Sequence, residues 1–164
     1  IAVYLTDTCL SNMLEVIIGP MFSGKTTTLL TRAKGKTLIV NHEFDTRCEG
    51  VKTHDGAEAA AMKCSVLPKV AGYDTVLVDE AQFFTSLEGV EDLAPNVVVA
   101  GLSGDYLRKP FGKILELIPK ADNVTFLAAV CSCGAPAPFT KRISVEENVI
   151  SVESTYQPKC RKCY

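Results

Sequence analysis

No stretch of this sequence stays apolar for the ~18 residues needed to cross a bilayer. Its first residues, Ile1-Ala2-Val3-Tyr4-Leu5, have neither the basic start nor the long apolar run of a secretory signal. Neither sign of charge dominates: a net charge of −2 and a pI near 5.7 do not suit a surface that neutralises a nucleic-acid backbone. The short basic cluster of Lys159, Arg161 and Lys162 does not change that reading. Internal repeats and low-complexity segments are lacking too. These absences lead to the expectation of a soluble, cytoplasmic protein with neither nucleic acid nor membrane as a partner. The seven cysteines are odd in number and follow no export signal, which argues against a disulfide framework.

What is present is enough for one core. The chain has 164 residues, 47% of them hydrophobic and 22% charged, an ordinary globular balance. Short β-branched runs bounded by turn residues predict buried strands at Leu14–Ile18, Thr37–Val40, Thr75–Val78 and Asn96–Ala100. Asn123–Val130 is a fifth, diluted by Ala128 and Ala129. Helical patches fit at Thr26–Ala33 and at Lys113–Ile118, before Pro119. Strands alternating with helices imply an α/β fold, a parallel sheet with helices on its faces. Beyond Val130 the chain becomes rich in Pro, Cys, Ser and Thr, with β-leaning pieces at Lys141–Val145 and Asn148–Val152. That tail is too short for a core of its own, which is where a structural metal helps.

Gly19-Pro20-Met21-Phe22-Ser23-Gly24-Lys25-Thr26 matches G-x-x-x-x-G-K-[ST], a chance match of about one in 200 at this length. A strand before it and a helix after it sharpen the signal against an incidental glycine turn. Glycines let the backbone aim N–H groups at phosphate oxygens. Lys25 reaches the β/γ-phosphates of ATP, and the Thr26 hydroxyl can sit on Mg²⁺. Thr75–Val78 runs into Asp79 and Glu80. Alone these are a strand ending in solvated acids. Beside a P-loop, Asp79 is the candidate for holding Mg²⁺ and Glu80 for taking a proton from an acceptor hydroxyl.

Cys131-Ser132-Cys133 and Cys160-Arg161-Lys162-Cys163 form two chelating corners suited to a structural Zn²⁺. Free thiols or a redox pair are the alternatives. Cys9, Cys48 and Cys64 read as small buried hydrophobes. Asp45-Thr46-Arg47 and His54-Asp55-Gly56 are equally well explained as solvated loop charges, though Arg47 can steady phosphate charge. Phe83, Tyr106 and Phe111 stand where they can stack on a base, with core packing as the competing explanation.

The residues Gly19–Thr27, Asp79–Phe84, Arg108–Gly112 and Cys160–Tyr164 together resemble the cellular and bacterial type of thymidine kinase, in family order across nearly the whole chain. The resemblance implies a P-loop α/β domain of RecA-like topology over 1–130, with helices on both faces of its sheet, and a small zinc-binding lasso domain over 131–164. It also implies a homotetramer. It makes Glu80 the base for the 5′-hydroxyl of thymidine and places Asp45, Thr46, Arg47 and Gln82 beside the phosphates of ATP. Met21, Phe83, Leu102 and Tyr106 would line the thymine pocket, and Tyr156 would help hold the nucleoside. Glu147, Asn148, Val149, Ile150 and Ser151, in the lasso, would read the thymine edge through backbone hydrogen bonds. Deoxyuridine is the alternative substrate, since one methyl group is worth only ~1–3 kcal/mol.

The sequence departs from the family pattern in three places. The first cysteine corner is one residue tight, Ser151-Val152 stands where the family has Gly-Gly, and only Thr28–Lys36 separates Thr27 from the next strand. A nucleic-acid-stimulated ATPase with a zinc ribbon fits the same motifs but not the acidic balance. A non-catalytic nucleotide-binding regulator would not need Glu80 beside Asp79.

Overall fold

The computed structural model describes residues 12–46, 50–52, 58–144 and 155–164. In chain order the strands are β1 (Met13–Gly19), β2 (Thr37–His42), β3 (Val51–Lys52), β4 (Glu58–Ala59), β5 (Met62–Cys64), β6 (Thr75–Asp79), β7 (Asn96–Leu102), β8 (Asn123–Phe126), β9 (Ala129–Val130), β10 (Pro136–Ala137), β11 (Phe139–Arg142) and β12 (Tyr156–Lys159). One α-helix, α1 (Lys25–Leu30), follows β1, and short 3-10 segments occupy Ala81–Phe83, Val90–Asp92 and Ile114–Lys120.

Six strands form the central sheet in the order β5-β2-β6-β7-β1-β8, and every pairing in it is parallel. The four predicted runs lie in β1, β2, β6 and β7. Because β1, β6 and β7 are covered on both faces, they read as unbroken apolar runs rather than alternating ones. Alternation within them sorts the core. Val16, Ile18, Val76, Val78, Val97 and Val99 join Phe84, Leu87, Val90, Ile114 and Leu117 on one face. Ile17, Leu77, Val98 and Ala100 join Leu29 of α1 on the other. Each fully buried large side chain of this kind contributes roughly 1.5–3 kcal/mol. Among the described residues, the helices expected on both faces are one short α-helix on one side and 3-10 turns on the other.

The predicted helix over Thr26–Ala33 is shorter than its pattern because the chain tightens after Leu30. Arg32 and Ala33 donate to the carbonyls three residues back, Leu29 and Leu30, and Gly35 then turns the chain at φ 58°. The expected helix at Lys113–Ile118 forms as the 3-10 segment Ile114–Lys120, which contains Pro119. The run predicted at Asn123–Val130 divides into β8 and β9. β5, a three-residue edge strand beside β2, carries too little pattern to be foreseen.

The tail forms two small antiparallel ribbons, β9 with β10 and β11 with β12, around a minor cluster of Ala129, Cys131, Ala137 and Cys160. Of the β-leaning pieces expected there, the first overlaps β11, and Asn148–Val152 lies outside the described residues. Among the described residues no helix is long and apolar enough to cross a membrane.

Candidate functional site

Parallel order brings the C-terminal ends of β1, β2, β6 and β7 to one edge of the sheet, and the chemistry-bearing residues follow those ends. β1 ends at Gly19, where a Cβ would stand 2.5 Å from the Leu127 carbonyl oxygen and 2.8 Å from Ser23 Oγ. Only glycine fits there. Gly24 turns into α1 at φ 78°, and Phe22 is left-handed at φ 64°, a conformation that strains a bulky residue and concentrates at functional sites. Within the loop, the Pro20 carbonyl accepts hydrogen bonds from Ser23 Oγ at 2.8 Å and Lys25 Nζ at 2.7 Å. The lysine is therefore already curled over the loop that bound phosphates would occupy. The Met21 N–H donates to Thr140 Oγ1 at 2.9 Å, tying the loop to β11.

α1 lies across β1, β7 and β6, so Thr26 at its start reaches the end of β6, two strands away. Thr26 Oγ1 donates to Asp79 Oδ2 at 2.8 Å. Two oxygens in adjacent positions around Mg²⁺ would stand about 3 Å apart, so the donor pair fits that ion. Asp79 is 1% exposed. Burial, then the charge of Glu80, raises its pKa to about 7, against the opposing pull of the Thr26 hydroxyl, the Glu80 N–H and Lys25. A buried carboxylate in that condition gains strongly from a cation beside it.

Glu80 leaves the strand in the left-handed region, φ 52°, turning its side chain out of the β6 alternation. Gln82 Nε2 donates to Glu80 Oε2 at 2.6 Å, and Gln82 Oε1 accepts from the Leu102 N–H at 2.9 Å. Gln82 was expected beside the phosphates. Both ends of its amide are engaged with the protein.

Among the aromatic candidates, Phe83 meets Phe111 edge to face at 5.7 Å and Phe44 at 5.9 Å. Tyr106 lies under the Arg142 guanidinium, 3.9 Å from its ring centroid, and Arg142 Nη2 donates to the Tyr156 hydroxyl at 2.6 Å. Tyr164 Oη donates to the Tyr106 carbonyl. Arg142 thus brings together two residues that sequence reasoning named separately, and it carried no signal of its own. Met21, Phe83, Leu102 and Tyr106 are all half-buried.

Asp45 is buried, its carboxylate accepting from Asn41 Nδ2 at 2.8 Å and lying 3.9 Å from Lys63 Nζ. Thr46 beside it is exposed. Arg47, Glu147, Asn148, Val149, Ile150, Ser151 and the His54-Asp55-Gly56 loop lie outside the described residues, as do Cys9 and Cys48. His42, also unforeseen, is buried at the end of β2 against the rings of Phe44 and Phe84. Burial holds its pKa below the ordinary value, and its Nδ1 accepts from the Phe44 N–H at 3.1 Å.

The four paired cysteines converge. Cys131, Cys133, Cys160 and Cys163 place their sulfurs within 4.8 Å of one another, and Cys133 and Cys160 stand 3.6 Å apart. Tetrahedral Zn–S bonds of about 2.3 Å require sulfurs about 3.8 Å apart, so the cluster is compatible with zinc. The one-residue corner closes in a turn in which the Gly134 N–H donates to the Cys131 carbonyl at 2.8 Å, and Gly134, at φ 84°, then lets the Ala135 carbonyl accept from the Cys131 N–H at 2.9 Å. Backbone N–H groups of Cys133 and Cys160 pull the Cys131 pKa down to about 6, while neighbouring sulfurs, Cys133 first, push that of Cys163 up to about 12.

Comparison with known proteins bears directly on this site. The profile of a family described as thymidine kinase matches residues 12–164. The chain is 39% identical to the thymidine kinase of Myxoma virus (strain Uriarra) over 169 aligned positions, covering 92% of this chain and 95% of that one. It is 38% identical to the cytosolic thymidine kinase of Homo sapiens, covering 92% and 72%. It is also 38% identical to thymidine kinase a of Arabidopsis thaliana, covering 94% and 75%.

Proposed function

The chain belongs to the thymidine kinase family, and from that premise we propose how its P-loop edge phosphorylates thymidine. The enzyme transfers the γ-phosphate of ATP to the 5′-hydroxyl, giving thymidine monophosphate. Gly19, Pro20, Met21, Phe22, Ser23, Gly24, Lys25 and Thr26 wrap the phosphates. Lys25 exchanges the Pro20 carbonyl for the β/γ-phosphate oxygens, trading a neutral acceptor for charged ones. Thr26 and Asp79 would hold Mg²⁺, which would supply charge neutralisation for the transferring group. Glu80 accepts the 5′-hydroxyl proton as that oxygen bonds to phosphorus and the bond to ADP breaks.

The observation that carries this reading is the pairing at the end of β6: Asp79 takes the Thr26 hydroxyl and Glu80 takes the Gln82 amide. Two adjacent acids are thereby given separate tasks. Phe83, Tyr106, Met21 and Leu102 receive the thymine, with Tyr156 steadied by Arg142. Backbone groups of residues 147–151 read the base edge and exclude water, without which a P-loop kinase becomes an ATPase. The division into 1–130 and a zinc-binding domain over 131–164, Zn²⁺ on the four cysteines, use of deoxyuridine, a cytoplasmic homotetramer and an active site free of nucleic acid all belong to the same reading. Asp45 and Thr46 lie beside the phosphates in it, with the Asp45 carboxylate held by Asn41 and Lys63.

The test is ADP release from ATP·Mg with thymidine, with single-stranded DNA, and with no acceptor. Thymidine-dependent turnover is expected, falling on the order of 10²–10⁴-fold in Glu80→Gln. Turnover driven by DNA, or unchanged in that variant, would refute the assignment.

A further inference from the structure

We propose that Gln82 is the positioning residue for Glu80, fixing the base by coupling it to the end of β7. The proposal rests on Glu80 being the base. A residue in the left-handed region after a strand has no ladder to hold it, so the direction of the Glu80 carboxylate must come from its side-chain partners. Gln82 supplies one at 2.6 Å, from a side chain that belongs to a residue only 3% exposed.

The amide has one orientation. The Leu102 N–H is a donor and can only face the amide oxygen, 2.9 Å away. The NH₂ must then face Glu80, and a carboxylate only accepts. Turning the amide over would set donor against donor at one end and acceptor against acceptor at the other. Gln82 is buried and both hydrogen bonds are half-buried, so each lost bond would leave a polar atom poorly satisfied. The arrangement is therefore stiff as well as specific.

Two glycines clear the space for it. A Cβ at Gly101 would stand 2.6 Å from Gln82 Oε1, and one at Gly112 would stand 2.1 Å from the Gln82 carbonyl oxygen. The side chain is pressed against β7 and the backbone against the turn at Gly112. Leu102, whose N–H anchors the amide, is itself a candidate for the thymine pocket. The chain Leu102–Gln82–Glu80 thus connects the floor of the nucleoside site to the group that takes its proton.

The experiment uses the full chain with Gln82→Glu, Gln82→Met, Glu80→Gln and the double variant Glu80→Gln/Gln82→Met. Steady-state constants for thymidine and ATP are measured together with melting temperature. Gln82→Glu keeps an acceptor for Leu102 but loses the donor to Glu80. It is expected to stay folded and to lose about 10–100-fold in kcat, with both KM values within about threefold, since a misplacement near 1 Å is worth roughly 10² in rate. Gln82→Met should lose at least as much in the wild-type background and less than about threefold in the Glu80→Gln background, because the group it positions is already gone. Independent losses that multiply in the double variant, or an unchanged kcat in Gln82→Glu, would overturn the proposal. Full activity in Glu80→Gln alone would overturn it through its premise, and that single variant tells the two failures apart.

Discussion

Gly112→Ala puts the coupling of backbone to active site to a quantitative test. Gly112 sits at φ 65°, a region that costs an L-residue roughly 1–2 kcal/mol. Its added Cβ would also lie 2.1 Å from the Gln82 carbonyl oxygen, 2.7 Å from the carbonyl carbon and 2.8 Å from Cα. All three are backbone atoms, so a rotamer change cannot relieve the clash. The segment Ala81–Phe83 must move by about 1 Å to restore ordinary contact, adding roughly 1–3 kcal/mol of overpacking. The two contributions together are about 2–5 kcal/mol, and at about 2–4 °C per kcal/mol for a chain of this size the melting temperature should fall by roughly 4–20 °C. The same movement displaces Gln82 and with it Glu80, so kcat should fall on the order of 10²-fold. Gly72→Ala is the matched control: it shares a positive φ, 78°, but its Cβ meets nothing within 4 Å. It should lose only the backbone part, about 1–2 kcal/mol, and keep wild-type kcat. Thermal melts and steady-state thymidine kinetics on both variants decide the matter. Equal melting temperatures, or a destabilised Gly112→Ala with undiminished kcat, would refute the reasoning.

Glu15 is buried in β1, its carboxylate bound by Arg32 at 2.8 and 3.1 Å, with Thr125 and Asn123 alongside. The Arg32 hydrogen bond first, against burial, holds its pKa below the ordinary 4.5. Its stabilisation is therefore present above pH 4.5 and lost as pH falls through the lower folded value. The melting-temperature gap between wild type and Glu15→Gln should be wide at pH 7 and narrow toward pH 3. Thr26→Val removes the hydroxyl that meets Asp79 and should raise the Mg²⁺ concentration for half-maximal turnover about 10–100-fold, with the thymidine KM little changed. Chelation, or Cys160→Ser, should release the one zinc expected per chain in a colorimetric metal assay and lower the melting temperature. Because Tyr164 adjoins Cys163 and bonds the Tyr106 carbonyl, either treatment should also raise the thymidine KM. A metal-depleted enzyme with unaltered thymidine KM would separate the cysteine cluster from the nucleoside site.

The parts of this protein that its sequence determined are those whose physics is local. A phosphate loop needs glycine at Gly19 and Gly24 and a lysine and hydroxyl just behind them, all within one short segment. Strands buried on both faces must be continuous apolar runs, so β1, β6 and β7 were visible with no knowledge of their neighbours. Asp79 and Glu80 were visible because they end such a run, and Cys160 and Cys163 because their spacing is compatible with a shared metal. Tertiary structure decided what those residues touch. Asp45 meets Lys63 because β5 lies beside β2, a strand too short to announce itself. Arg142 joins Tyr106 to Tyr156 only when β11 and β12 pair. Gln82 faces Glu80 because the end of β7 presents an N–H that only the amide oxygen can satisfy. Spacing fixes which groups a segment carries, but the direction of a side chain is set by donors and acceptors brought from distant parts of the chain. For this reason the candidate site residues were readable in advance, while the partners that their side chains meet were not.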